Sequence, residues 1–189
     1  MKRDPVNVQH RPFMTPVWLF GITGFLVVAV AIFVIWLWGT ANATTVIVIR
    51  HAEKEAGNLV DPQLSAAGEA RAALLERMFG DAKGPGHLDA IYTSPALRNR
   101  MTAAPLAAQL GLVPSVAPAD DAKGLARRVL REHSGGRVLI IGHVNTVPEI
   151  VSELSGRGDI PGIDERDYGI MYVVTVPRIG RANLLRMSY

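Results

Sequence analysis

The chain has 189 residues, with 20 Lys and Arg against 17 Asp and Glu for a net charge of +3, 49% hydrophobic residues and no cysteine. Lacking thiols, it has no disulfide framework and no lipoprotein cysteine anchor, and it tolerates an oxidising compartment. Three of the 20 basic and one of the 17 acidic residues precede residue 38, so the remainder carries 17 against 16, a net charge of +1 that argues against nucleic acid or another polyanion as partner.

The first predicted element is a helix. From Val17 to Trp38 there is no charged residue, and a helix of that length spans about 33 Å, enough for a hydrocarbon core of about 30 Å. Trp18, Trp36 and Trp38 lie near its ends, where aromatic belts sit, and Lys2, Arg3 and Arg11 precede it. Residues 1–16 are therefore expected to be a cytoplasmic basic tail and residues 17–38 a single-pass signal anchor in the membrane. Everything after them then lies outside the cytoplasm, in the periplasm of a Gram-negative host. Ala41-Asn42-Ala43 also fits a cleavage site, so a signal peptide cut near residue 43, releasing a periplasmic or secreted domain, is the alternative.

Residues 44–189 suffice for one domain with one core. Within them strand and helix signals alternate. The apolar run Thr45–Ile49 is followed by a helical pattern over Ser65–Phe79 with Gly80 as a stop. Leu88–Tyr92 precedes the Ala-rich stretch Pro95–Leu110, Val113–Ala117 precedes Asp120–Arg131, and Arg137–Ile141 precedes Thr146–Ser155. After a loop with Gly156, Gly158, Pro161 and Gly162, the segments Gly169–Val176 and Ala182–Met187 pattern as a closing hairpin. Such alternation predicts an α/β domain of three layers, α/β/α, around a mostly parallel sheet.

The polar residues at the strand ends carry the chemistry. Arg50-His51 ends the first run, Gly142-His143 the fourth, and Ser94 to Arg98 follows the second. A parallel sheet brings such junctions to one edge, where ligands of open α/β sheets bind. A histidine there can act as a nucleophile, and arginines hold tetrahedral anions through several N–H donors. The remaining histidines, His10, His87 and His133, have no partner at metal-ligand spacing, so no metal or other cofactor is expected. The basic run Lys123–Arg131 has Leu125, Val129 and Leu130 at helical spacing and no aromatic, which makes it the solvated face of a helix.

Four segments in order resemble the histidine phosphatase superfamily, the phosphoglycerate mutase-like family. They are Val48 to Lys54, Leu64 to Ala72, Tyr92 to Arg98 with Thr102-Ala103 behind it, and Ile141 to Pro148. The resemblance implies the phosphoglycerate mutase-like fold. It also implies that His51 is transiently phosphorylated while Arg50, Arg98 and His143 bind the phosphoryl oxygens. Arg100 competes with Arg98 for that role, and the spacing from Ser94 favours Arg98. A general acid is expected from Asp120 or Asp121, either of which could instead cap the following helix. Asn145 is expected to contact the phosphoryl group or to cap its helix, as is its neighbour Thr146. Glu53 is expected at the substrate or as the acid, or else paired with Arg50 or Lys54. The implied activity is that of a metal-independent phosphomonoester hydrolase acting on a phosphorylated small molecule or phosphoprotein. A protein phosphohistidine phosphatase and a non-catalytic phosphate-binding domain are the alternatives, and the compact chain, with no mutase-type acidic motif between Arg98 and His143, speaks against a mutase.

Overall fold

The structure, a computed structural model, describes residues 17–57, 60–81 and 84–189; the expected basic tail, with Lys2, Arg3, His10 and Arg11, lies outside the described residues. The chain divides into two units, Met1–Leu37 and Trp38–Tyr189. Helix α1 runs from Val17 to Ala41 and is apolar on every side. Its segment Phe20–Leu37 has a mean hydropathy of 2.6, and none of it is buried. By length and composition it can cross a membrane.

The second unit is built on a six-stranded sheet. Its elements are β1 (Thr44–Arg50), α2 (Ala66–Phe79), β2 (Ala90–Thr93), α3 (Leu97–Leu110), β3 (Ser115–Val116), α4 (Ala122–Glu132), β4 (Arg137–Gly142), α5 (Thr146–Ser155), β5 (Ile170–Val176) and β6 (Asn183–Ser188). The strand order is β3-β2-β4-β1-β5-β6. The four strands from β3 to β1 are parallel, and the hairpin β5–β6 joins antiparallel to β1. This is the expected three-layer, mostly parallel α/β/α architecture with a closing hairpin.

Strand alternation assigns the two cores. On β1, Val46 and Val48 pack with Leu125 and Val129 of α4 and with Val147, Ile150 and Val151 of α5. Ile47 and Ile49 point the other way, onto Leu75 of α2 and Ala103 and Leu106 of α3. A strand covered on both faces has no polar side to show, which is why the run reads as continuously apolar.

One strand is shorter than its sequence pattern. The run Val113–Ala117 yields only Ser115–Val116 as β3, at the sheet edge. Pro114 and Pro118 flank it and lack the N–H a longer ladder would need, so Val113 is left 90% exposed.

Candidate active site

Strands β1 and β4 are parallel neighbours in a register that sets Arg50 opposite Gly142. The residue after each strand is a histidine, so His51 and His143 emerge side by side at the carboxyl edge. The His51 N–H closes the pair by donating to the Gly142 carbonyl at 2.9 Å. The two rings stand edge to face with centroids 5.4 Å apart. Strand β2, on the other side of β4, delivers Ser94 and the first turn of α3 to the same edge.

The surroundings of His51 fix its protonation. Its Nδ1 lies 2.8 Å from the carbonyl oxygen of Ala52, an acceptor, so Nδ1 carries the proton and Nε2 keeps its lone pair. That lone pair receives the Nε–H of Arg98 at 3.2 Å. Burial lowers the His51 pKa to about 4; the Ala52 hydrogen bond opposes the shift, and Arg98, Arg50 and His143 add to it. His51 is therefore neutral at pH 7. Behind it, the Ala52 N–H donates to Thr102 Oγ1 at 3.0 Å, and that hydroxyl donates to the Arg98 carbonyl at 2.7 Å, which ties the histidine segment to α3.

His143 is held from three directions. Its backbone N–H donates to Thr146 Oγ1 at 2.9 Å, at the start of α5. Arg98 NH2 donates to its Nδ1 at 3.4 Å, which leaves Nε2 as the nitrogen that donates to Ser94 Oγ at 2.9 Å. Burial, then Arg98 and Arg50, lower its pKa, so it too is neutral.

Arg50 serves two faces at once. Its NH1 donates to the carbonyl oxygens of Asp164, Glu165 and Asp167 at 3.2, 2.7 and 3.3 Å, and its guanidinium carbon lies 3.9 Å from the Tyr168 ring centroid. Its Nε, by contrast, is buried with no hydrogen-bond partner. Arg50, His51, Arg98 and His143 share a cavity of about 330 Å³ that Lys54, Asn145, Glu165 and Tyr168 also line. Three cationic side chains and a buried N–H without a partner are chemically matched to a tetrahedral oxyanion.

The other expected residues divide. Asn145 lines this cavity and stands at the N-cap position of α5 without a side-chain capping bond; Thr146 is the residue that bonds the His143 backbone. Arg100 is exposed and outside the cavity lining. Asp120 and Asp121, expected as the general acid, line a separate groove with Glu149 and Ser152, and Asp121 accepts from the Gly124 N–H at 2.8 Å as the cap of α4. Helix capping has claimed that carboxylate. Glu53, expected at the substrate, is turned away from the cavity into a bidentate pair with Arg71, the shortest contact being 2.7 Å. Burial raises its pKa, but the Arg71 hydrogen bonds, its own backbone N–H and the charges of Arg71 and Arg50 together lower it below the usual value.

Lys54, Glu165, Tyr168 and Asp61, which pairs with Arg98, are absent from the sequence-derived site. Lys54 was within reach of the sequence, three residues past His51. The others lie in polar loops with no periodicity to mark them.

Residues 46–119 match the model of the histidine phosphatase superfamily (branch 1). No curated protein matches the chain by sequence. Among solved structures it is similar to the protein histidine phosphatase SixA complexed with tungstate, at a TM-score of 0.63 and 21% identity over 76% of this chain and 96% of that one. It is also similar to the mycobacterial glucosyl-3-phosphoglycerate phosphatase in its native form, at a TM-score of 0.60 and 15% identity over 75% of this chain and 97% of that one. The structure of that enzyme with inorganic phosphate gives a TM-score of 0.59 and 14% identity over 77% and 96%. Residues 46–119 thus carry the sequence pattern of the histidine phosphatase superfamily, and the domain shares the fold of these solved phosphatases.

Proposed function

We propose that the chain is a metal-independent phosphatase that works through a phosphohistidine on His51, held to a membrane by residues 17–38. The observation that carries this is the neutral His51 ring, its Nε2 lone pair facing a cavity shared with Arg50, Arg98 and His143. An arriving phosphoryl group takes over the N–H donors of Arg98 that now face the two imidazoles, which frees His51 Nε2 to attack phosphorus. Arg50, which lines the same cavity, meets a second oxygen, and Asn145 at the rim contacts the substrate. The Nε2–P bond forms as the bond to the leaving group breaks. The Ala52 carbonyl stabilises the positive charge that the phosphorylated ring acquires. Water then attacks phosphorus, the P–N bond breaks, and His51 recovers its lone pair as phosphate departs. Charge on the equatorial oxygens is met by guanidiniums, where other phosphoryl-transfer sites use a metal ion.

Substrate class follows from the leaving group. An alkoxide needs a proton, and among the described residues lining the cavity the carboxylate is Glu165, exposed at the rim. An imidazole leaving from a phosphohistidine substrate departs as a neutral weak base when its second ring nitrogen already carries a proton, and it then needs no such acid. With Asp120 and Asp121 outside the cavity, a protein phosphohistidine phosphatase is the second reading supported.

The test uses the full-length chain in detergent. Wild type hydrolyses p-nitrophenyl phosphate, and His51→Ala is slower by about a thousandfold or more. EDTA leaves the rate unchanged. Equal rates for the two proteins would eliminate the phosphoenzyme. Faster hydrolysis of a phosphohistidine peptide than of an alkyl phosphate selects the second substrate class, and the reverse order selects the first.

A further inference from the structure

Helix α3 carries Arg98 in its first turn but starts without a cap of its own, because Ala96 at the N-cap position has no side-chain acceptor. The acceptor comes from a distant loop. The Leu97 N–H donates to both carboxylate oxygens of Asp61, at 3.0 and 3.1 Å, across 36 positions of sequence. The same carboxylate lies 3.6 Å from Arg98 NH1. The three nitrogens of Arg98 thus face three partners: Nε meets His51, NH2 meets His143, and NH1 meets Asp61. A guanidinium is rigid and planar, so holding NH1 sets where the other two nitrogens point.

We propose that Asp61 is a positioning residue, holding the Arg98 guanidinium in the orientation that presents Nε and NH2 to a phosphoryl group on His51. The proposal rests on the phosphohistidine mechanism above. When substrate enters, the two imidazoles give up their hydrogen bonds from Arg98 to phosphoryl oxygens, and Asp61 remains the guanidinium's fixed partner. The carboxylate also favours the positive end of the α3 dipole, so one group anchors both the helix start and the side chain projecting from it. The Asp61 side chain is 46% exposed, and ion pairs at such exposure stabilise folds weakly. Its effect is therefore expected in the chemistry, where orientation of a charged donor is decisive.

Variants of the full-length chain separate positioning from capping. Asp61→Asn keeps an oxygen for the Leu97 N–H and removes the charge facing Arg98, whereas Asp61→Ala removes both. Asp61→Asn is expected to lower kcat for p-nitrophenyl phosphate about fivefold, leave KM within about twofold and weaken inhibition by tungstate about fivefold, with a melting temperature within about 2 °C of wild type. Asp61→Ala shows the same kinetic loss with a lower melting temperature, and Asp61→Glu recovers part of kcat. Wild-type kcat and tungstate inhibition in Asp61→Asn, alongside a destabilised Asp61→Ala, would reduce Asp61 to a helix cap and overturn the proposal while leaving the His51 mechanism standing. A wild-type chain that neither hydrolyses the ester nor binds tungstate would overturn both.

Discussion

His51 keeps its Nε2 lone pair because burial makes the charged ring costly, and this has a measurable cost in acid. Its folded pKa of about 4 lies below the ordinary histidine value of about 6.5. Between those values the unfolded chain binds a proton that the folded chain refuses, so stability falls as pH drops through that window and is untouched above it. Urea titrations of wild type and His51→Ala are expected to diverge with acidification. Wild type loses on the order of 3 kcal/mol more than the variant between pH 7 and pH 4, and parallel curves would show that the ring is not held neutral. The acid limb of kcat/KM should likewise fall nearer pH 4 than 6.5 wherever His51 is the group that limits it. At this scale Arg50, His51, Arg98 and His143 were legible because each stands at a strand-to-helix junction, and the sheet register makes neighbours of such junctions. Asp61 and Tyr168 were not. Their partners lie far along the chain, and nothing local to them distinguishes a loop aspartate or tyrosine that meets an arginine from one that meets water.

Among the elements, α2 illustrates how a helix can constrain a site it does not line. Ser65 caps it, its hydroxyl accepting from the Gly68 N–H at 3.2 Å and donating to the Glu53 carbonyl at 3.3 Å. Gly68 presses against the Glu53 backbone so closely that an added Cβ would overlap its carbonyl oxygen. Gly68→Ala is expected to push the segment after His51 out of place, costing about 2 kcal/mol of stability and lowering kcat. Thermal melts and p-nitrophenyl phosphate kinetics check both, and an unchanged variant would show that α2 docks independently of that segment. Helix and strand identities were readable from periodicity here, with Ser65 at the start of the helical pattern. The close approach was not, since a glycine two residues inside a helix pattern is locally indistinguishable from a neutral substitution. The edge strand β3 failed for a related reason. Val113 carries the β-branched signal, but Pro114 beside it has no N–H to give a ladder.

For the whole molecule, the apolar α1 and the folded domain pose a question of sidedness. Lys2, Arg3 and Arg11 before the span predict that residues 1–16 stay in the cytoplasm and the domain is exported. Alkaline phosphatase fused after Tyr189 should be active and a fluorescent protein that matures only in the cytoplasm dark; the opposite pair of results would reverse the orientation. Three-layer architecture was legible at this scale because both-face burial turns parallel strands into uninterrupted apolar runs. The loop between α5 and β5 was legible as a loop, but its hold on Arg50 was not, and that hold bears on how the protein can change. Arg50 hydrogen-bonds that loop through main-chain oxygens of Asp164, Glu165 and Asp167, and the side chain it meets there is the Tyr168 ring. Every amino acid supplies that same oxygen, so rim side chains such as Glu165, unlike the stacked Tyr168, are free to be exchanged without loosening the hydrogen bonds that hold the arginine. On the proposed mechanism, selectivity for what surrounds the phosphate is thereby mutable independently of the main-chain bonds that hold Arg50.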